Sequence, residues 1–228
     1  MKAKNIMTTE VFTVRPDATV RQIAAILVEK GISAVPVVDH GKVVGVVSEG
    51  DLLHRQELGT EIYRTRFSWV SLVENEEAIA AFQAKEHGMQ ARDIMTRDVI
   101  SISEDASLGE IADKLERNNI KRLFVTKNAK LVGVISRANI VRALAARPEG
   151  SQEPTSHDDD EIRFKVIETL EAIKGTSPWL TSVIVSNGIV YLYGTVEDET
   201  ARDPSRKEIE KIPYVVEVHD HRAILQPY

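Results

Sequence analysis

Cysteine is missing from this sequence of 228 residues. Its absence excludes disulfides, thiolate catalysis and cysteine-ligated zinc. No apolar run reaches the roughly eighteen residues that a membrane-spanning helix needs, so we predict none. The first ten residues, MKAKNIMTTE, contain no apolar core and predict no secretory signal. From these absences we expect a cytoplasmic protein.

A basic surface is also missing. The net charge is −6, and the sequence from Asp158 to Tyr228 contains fourteen acids against eight bases, whereas residues 1–157 are balanced. Nucleic acids and anionic lipids require clusters of lysine and arginine. We therefore predict no nucleic-acid partner, and we disfavour a membrane contact through the acidic C-terminal third.

Catalytic motifs are missing too, since the sequence has no phosphate-binding loop, nucleophile elbow or glycine-rich dinucleotide turn. His219 and His221 are spaced to share one face of a strand, but zinc needs three or four ligands. The acidic run Asp158–Glu161 is most simply interpreted as a solvated helix start. We predict no catalytic residue, no metal site and no covalently bound cofactor.

An internal repeat organises the first two thirds of the chain. Residues 3–54 align without a gap to residues 91–142, and seventeen of the fifty-two pairs are identical. Unrelated segments of average composition would share far fewer. The alignment has a constant offset of 88, so each position in one copy has a defined equivalent in the other.

Each copy predicts the order β-α-β-β-α. The first helix has a capping box at its start, Thr19 with Gln22 in the first copy. Gly31 is placed to end that helix, and His40-Gly41 predicts a tight turn between two β-rich runs. A last helix is predicted to begin near Ser48 in the first copy and near Ser136 in the second.

The remainder of the chain differs in pattern. An amphipathic helix is predicted from Asp158, a β-hairpin around Asn187-Gly188, a polar helix over 199–212 whose start Pro204 limits, and a last strand over 215–225. The predicted segments are a first repeat over 1–56, a helical insert over 57–90, a second repeat over 91–147, a linker over 148–157 and a C-terminal domain over 158–228.

Both repeats resemble a CBS domain, the regulatory module named after cystathionine β-synthase. The resemblance rests on Ile6-Met7-Thr8, Gly31–Val37 and Gly45–Asp51 in the first copy and on the equivalent residues of the second. It implies an α+β fold in which the two repeats pack as a pseudo-twofold pair. Such pairs form homodimers and hold adenosine-containing ligands such as AMP, ADP, ATP or S-adenosylmethionine.

The resemblance also implies which residues bind the ligand. Asp51 at a helix start would accept hydrogen bonds from both ribose hydroxyls, with the Ser48 hydroxyl on the same turn. Each site draws on both repeats, so this one would include Ser101 and Ile120 of the second repeat. Lys121 and Arg122 would face the phosphates.

The second site implied by the resemblance is weaker. It would combine Ser136 and Asn139 with four residues of the first repeat, which are Thr13, Ile32, Ser33 and Ala34. Asn139 replaces the aspartate of the family pattern and loses charge-assisted hydrogen bonds. Two simpler interpretations stay open: Asp51 only caps its helix, and Lys121 and Arg122 are solvated surface charges.

The C-terminal segment resembles a BON domain over Ile162–Leu170 and Val183–Val196, although Tyr214-Val215 replaces the usual Gly-Val step. The resemblance implies contact with phospholipid or a protein, and we prefer an unidentified protein partner. Two functions follow. One is a non-catalytic sensor of an adenine nucleotide that signals through its dimer or its BON-like domain. The alternative is a scaffolding dimer with no ligand response.

Overall fold

The computed structural model describes residues 1–53, 87–146, 157–176 and 179–225. The chain divides into two compact units. We call Phe12–Val99 the first-repeat unit, and Met1–Val11 together with Ile100–Tyr228 the second-repeat unit. The predicted insert and linker fall largely on residues 54–86 and 147–156, which lie outside the described residues.

Helices and strands alternate along the described residues, which confirms the predicted α+β class. The helices are α1 (Ala3–Ile6), α2 (Val20–Lys30), α3 (Glu49–Leu53), α4 (Ala91–Ile94), α5 (Leu108–Arg117), α6 (Arg137–Ala145), α7 (His157–Ala172) and α8 (Glu199–Ile209). The strands are β1 (Ala34–Asp39), β2 (Lys42–Ser48), β3 (Ser101–Ser103), β4 (Arg122–Lys127), β5 (Lys130–Ser136), β6 (Thr181–Ser186), β7 (Ile189–Val196) and β8 (Glu217–Ile224).

The first-repeat unit contains the antiparallel hairpin β1–β2. His40 and Gly41 both adopt positive φ, 48° and 80°, which is the conformation of the predicted tight turn. The short strand predicted before α2 is reduced to one parallel bridge between Val14 and Val37. Helix α2 begins with the predicted box, since Thr19 accepts from the Gln22 amide, and it ends at Gly31 with φ 61°.

The second-repeat unit repeats this hairpin at the same offset. Strand β3 pairs in parallel with β4, and β4 pairs antiparallel with β5. Both hairpins shift register at equivalent places, Val37/Val38 and Val125/Thr126. The duplication in sequence is therefore a duplication in backbone pairing, and equivalent residues can be compared directly.

The segment before each repeat packs on the other copy's strand. Thr8 bridges Val134 of β5 in the second-repeat unit, and Thr96 bridges Val46 of β2 in the first-repeat unit. Met7 packs so closely on Gly133 that a Cβ there would lie 2.6 Å from its sulfur. The compact units therefore do not coincide with the sequence repeats.

The C-terminal residues form the predicted order α-β-β-α-β. Strands β6 and β7 are antiparallel and β7 and β8 are parallel, while α7 and α8 cover one face of the sheet. The buried core beneath the helices contains Ile162, Val166, Leu170, Val183, Val185, Val190, Leu192, Ile209 and Val218. None of the helices that the structure describes is long and apolar enough to cross a membrane.

Two details of this domain depart from the sequence-based expectation. Pro204 does not limit where α8 begins, because Asp198 caps the helix at its first turn and Pro204 is tolerated as the sixth helical residue. The Arg222 guanidinium lies below it and donates to the Ser205 hydroxyl at 2.9 Å. Tyr214 adopts φ 69°, a left-handed conformation that glycine adopts more readily than tyrosine.

The other face of the C-terminal sheet packs on the second repeat. Ile184 of β6 is fully buried in the same hydrophobic cluster as Ala143 and Ala146, and Tyr191 and Tyr193 of β7 pack against that cluster. Contacts inside the second-repeat unit therefore cover this face of the sheet. The C-terminal domain is therefore an integral part of that unit rather than a tethered appendage.

Candidate functional site

The first candidate site residues, Ser48 and Asp51, form a helix cap. Ser48 closes β2, and α3 begins at Glu49. The Asp51 carboxylate accepts hydrogen bonds from the Ser48 amide at 2.8 Å and from the Ser48 hydroxyl at 2.7 Å. Both residues are half-buried. The cap fixes a carboxylate at a strand-to-helix turn, a position from which it could accept hydrogen bonds from a ribose.

The equivalent residues of the second repeat form the same cap with different chemistry. Asn139 Oδ1 accepts from the Ser136 amide at 2.8 Å and from the Ser136 hydroxyl at 2.7 Å. The Asn139 Nδ2 group also donates to the Ile6 carbonyl at 2.9 Å, and Asn139 is only 4% exposed. A carboxylate could not make that last bond, because it has no hydrogen to donate.

Two of the four other candidates in the first-repeat unit lie beside the Ser48 cap. Ala34 is paired with Ser48 across the β1–β2 ladder, and the Ser33 carbonyl accepts from the Glu49 amide at 3.0 Å. Ile32 packs against the core of this unit, and Thr13 is exposed. The structure therefore brings Ser33 and Ala34 next to Ser48, which is the partner of Asp51.

Two of the candidates in the second-repeat unit lie beside the Ser136 cap. Arg122 is half-buried and paired with Ser136 across β4–β5, and Lys121 is exposed just before the strand. Ile120 packs against the core, while the Ser101 carbonyl accepts from the Lys114 ammonium group at 2.8 Å. A basic pair thus adjoins the cap that holds the amide, and no basic residue occupies the equivalent pair Ser33-Ala34 beside the carboxylate.

Each predicted site divides its residues between the two units, and each half is described by itself. Ser48 and Asp51 belong to the first-repeat unit, whereas Ser101 and Ile120–Arg122 belong to the second-repeat unit. The predicted combination of these halves stays a prediction from the family resemblance. The same holds for Ser136 and Asn139 with the four residues of the first repeat.

The acidic run begins α7 as predicted, but two of its four carboxylates are bound within the protein rather than solvated. Asp159 is 2% exposed, and its two oxygens accept from the Asn187 and Gly188 amides at 3.0 and 2.8 Å. Asp160 accepts from the Lys4 ammonium group at 2.7 Å and from the Asn5 side chain. Two carboxylates of the run therefore hold, respectively, the β6–β7 turn and the N-terminal segment.

Sequence reasoning missed the role of Arg163, which lies on α7 and is 8% exposed. Its guanidinium donates to the Val183 carbonyl at 3.0 Å and to the Met7 carbonyl at 2.6 Å. Burial lowers the pKa of Arg163 to about 10, which keeps the group charged at neutral pH. An arginine on the buried side of an amphipathic helix was the available signal, because such residues are rarely buried without a partner.

A pair of equivalent clefts lies outside the predicted residues. One, of about 570 Å³, is lined by Val14, Arg15, Asp17, Ala18, Gln22, Ala25 and Ile26. The other, of about 470 Å³, is lined by the seven residues at offset 88, among them Asp105, Glu110 and Asp113. A hydrogen bond from Lys2 lowers the pKa of Asp105, and one from the Ser107 amide lowers that of Glu110. These charged carboxylates disfavour a phosphate in the second cleft.

His219 and His221 do share a face of β8, as predicted. Their rings stack on Tyr191 and Tyr193, each with a centroid distance of 5.0 Å, and on each other at 6.2 Å. Across the described ranges, no three histidine or acidic residues are grouped so as to hold a metal ion. The histidines belong to an aromatic ladder on the sheet face that packs on the second repeat.

Comparison with known proteins identifies the duplicated module. The model of the family described as "CBS domain" matches residues 3–57 and 91–146, which include both caps. The two matched segments therefore form a tandem CBS domain pair.

Three known proteins illustrate what the chain is similar to in sequence or structure. The uncharacterized protein MJ1232 of Methanocaldococcus jannaschii is 30% identical over 148 residues, which are 64% of this chain and 40% of that protein. The chloroplastic CBS domain-containing protein CBSX1 of Arabidopsis thaliana is 33% identical over 140 residues, 59% of each chain. The chain thus spans about half the length of these curated relatives.

The third is a solved structure. The crystal structure of CBSX2 in complex with AMP matches 63% of this chain and 96% of that chain, with a TM-score of 0.54 and 28% identity. This likeness agrees with the α+β fold of the tandem pair.

Proposed function

We propose that this protein is a non-catalytic regulator that binds an adenosine-containing ligand through its CBS pair. The observation that carries the proposal is the likeness to CBSX2, whose structure contains AMP, combined with the Ser48–Asp51 cap. A carboxylate fixed at a strand-to-helix turn can accept both hydroxyls of a ribose. The adjacent helix start can bind phosphate through its backbone amides.

We further propose that the site that contains Asp51 is the stronger of the two sites. Its ligand would contact Asp51 and Ser48 through the ribose, and Lys121 and Arg122 through the phosphates, as the family resemblance implies. The Asn139 amide already donates to Ile6 and accepts from Ser136. An amide committed in this way offers a ribose fewer and weaker hydrogen bonds than a carboxylate.

The proposal extends to assembly and location. We propose a cytoplasmic homodimer that signals through its dimer contacts or through the BON-like domain to a protein partner. Val141 and Leu144, three residues apart on α6, are 65% and 73% exposed and would suit a helix-to-helix contact between two copies. Sedimentation equilibrium with and without nucleotide measures whether the dimer exists and whether the ligand changes it.

The experiment that tests the binding proposal is a titration of AMP, ADP, ATP and S-adenosylmethionine followed by calorimetry and by the melting temperature. A ligand at about one hundred times its dissociation constant adds roughly 2.7 kcal/mol to the free energy of unfolding. Arg122→Ala should lower the affinity for ATP more than the affinity for adenosine, because adenosine has no phosphate for Arg122 to bind. Lys130→Ala, which removes an exposed cation from the same hairpin, is the matched control.

Two results would overturn this proposal. A flat response to every adenosine ligand would remove the sensing function and leave the scaffolding dimer as the better interpretation. Equal losses of ATP and adenosine affinity in Arg122→Ala would show that Arg122 acts on the fold and not on phosphate.

A further inference from the structure

The segment Lys4–Met7, which we call the N-terminal strap, lies between the second repeat and the C-terminal domain within the second-repeat unit. On one side, Thr8 directly after the strap exchanges backbone hydrogen bonds with Val134 of β5, at 3.0 and 2.9 Å. Gly133 gives the strap its close approach, since a Cβ there would lie 2.9 Å from the Thr8 carbonyl oxygen. The strap is therefore seated on the strand that leads into the Ser136 cap.

Two successive carbonyl groups of the strap are held by different parts of the protein. The Ile6 carbonyl accepts from the Asn139 amide of the second-repeat cap at 2.9 Å. The Met7 carbonyl accepts from the Arg163 guanidinium of α7 at 2.6 Å. Both hydrogen bonds are shielded from water, because Asn139 is 4%, Arg163 is 8% and Ile6 is 0% exposed.

A third contact fixes the other end of the strap. The Asp160 carboxylate accepts from Lys4 at 2.7 Å and from the Asn5 side chain, and the hydrogen bond with Asp160 raises the pKa of Lys4. Asp160 and Arg163 are three residues apart and therefore lie on one face of α7. The C-terminal domain therefore binds the strap through the Asp160 carboxylate and the Arg163 guanidinium, both on α7.

We propose that the N-terminal strap couples the cap of the second repeat to the C-terminal domain, so that a change at Ser136–Asn139 alters how α7 is held. The path starts at Arg122, which is paired with Ser136 across β4–β5 and is the residue proposed to face a phosphate. It continues through Asn139, the adjacent Ile6 and Met7 peptide groups, and Arg163. The coupling itself exists without ligand, and only the identity of the signal rests on the proposed function.

Coupling of this kind is reciprocal. If the cap and α7 stabilise each other through the strap, weakening the hydrogen bonds at one must weaken those at the other. Hydrogen–deuterium exchange of backbone amides measures this directly, because exchange reports local opening at each hydrogen bond. The informative amides are those of Thr8 and Val134 at the strap, Asn139 at the cap, and Val166 on α7.

The experiment compares Arg163→Met, Asn139→Ala and Asp160→Asn with the control Lys165→Met. Lys165 lies on the same helix but forms only a partly exposed pair with Glu161, at 2.7 Å. We expect Arg163→Met to speed exchange at Thr8, Val134 and Asn139 by about tenfold or more, since a hydrogen bond to a buried charge is lost. Asn139→Ala should speed exchange at Val166, and Lys165→Met should leave all four amides unchanged.

If Arg163→Met fails to fold, Asp160→Asn still tests the proposal. This variant weakens the ion pair with Lys4 without leaving a buried group unpaired. It should speed exchange at Thr8 but less than Arg163→Met does. The coupling would be overturned if exchange rates changed only in the mutated element. In that case Asn139→Ala would leave exchange at Val166 unchanged, and Arg163→Met would leave exchange at Asn139 unchanged.

The same variants separate this inference from the proposed function. If AMP binds the wild-type protein and slows exchange at Val166, and if Asn139→Ala abolishes that slowing, the strap transmits the ligand signal. If AMP binds and the two variants show no reciprocal effect, the inference is wrong while the proposed function stands. If AMP does not bind but the reciprocal effects are present, the proposed function fails and the coupling stands.

Discussion

The two helix caps of the CBS pair have the same geometry and different chemistry. In both, a side-chain oxygen accepts from the serine amide at 2.8 Å and from the serine hydroxyl at 2.7 Å. Asp51 contributes a half-buried carboxylate, whereas Asn139 is 4% exposed and donates to the Ile6 carbonyl. Duplication preserved the backbone of the cap, while one heavy atom of difference lets the second cap bind the Ile6 carbonyl and leaves the first as the proposed ligand site.

The largest expected effect comes from exchanging these side chains. Asn139→Asp removes the donor to Ile6 and places a carboxylate against a carbonyl in a buried site. We expect a loss of about 2–3 kcal/mol in the free energy of unfolding, because a buried acceptor is left unpaired beside a buried charge. Differential scanning calorimetry of the folded chain measures it.

Asp51→Asn is the control for that exchange. Its amide oxygen can still accept from Ser48, and loss of the charge at the helix start costs about 0.3–1 kcal/mol. Equal losses for the two variants would mean that the Asn139–Ile6 hydrogen bond contributes nothing to stability.

A smaller effect is expected at the two equivalent glycines. A Cβ at Gly133 would lie 2.6 Å from the Met7 sulfur and 2.9 Å from the Thr8 carbonyl oxygen, which is backbone. The three atoms nearest to a Cβ at Gly45 all belong to the Met95 side chain, the nearest at 2.4 Å. The methionine side chain can move, whereas the Thr8 backbone cannot move away from Gly133 without breaking its hydrogen bonds to Val134.

We therefore expect Gly133→Ala to destabilise the protein by about 1–3 kcal/mol and Gly45→Ala by less. Thermal unfolding of both variants, with tryptophan fluorescence and circular dichroism recorded together, checks the order. If Gly45→Ala is the more damaging change, the strap is not held more rigidly than its counterpart in the first-repeat unit.

Much of the fold could be predicted from sequence because the repeat and the turn composition indicated the same strands and turns. The constant offset of 88 fixed both hairpins, and His40-Gly41 and Asn187-Gly188 form turns with positive φ as their composition indicated. Pro204 misled the interpretation of α8, since Asp198 and the packing beneath the helix outweigh its lost amide. Helix boundaries depend on such tertiary contacts, which a local pattern does not contain.

The candidate site was only partly predictable for a related reason. The Ser48–Asp51 and Ser136–Asn139 pairs lie three residues apart, so their caps follow from local spacing. The bonds from Asn139 to Ile6 and from Arg163 to Met7 join residues separated by more than 130 positions. Nothing in the acidic run or in α7 alone indicates that Asp160 and Arg163 hold the N-terminal strap.

The most direct test of the account is the affinity of Asp51→Asn for AMP, measured by calorimetry beside the wild type and the control Asp17→Asn. Asp17 is an exposed carboxylate in the same unit, so the control removes the same charge. We predict that Asp51→Asn weakens AMP binding roughly ten- to hundredfold, the value of a charge-assisted hydrogen bond, and that Asp17→Asn leaves it unchanged. Unchanged affinity in Asp51→Asn would contradict the assignment of the first cap as the ligand site.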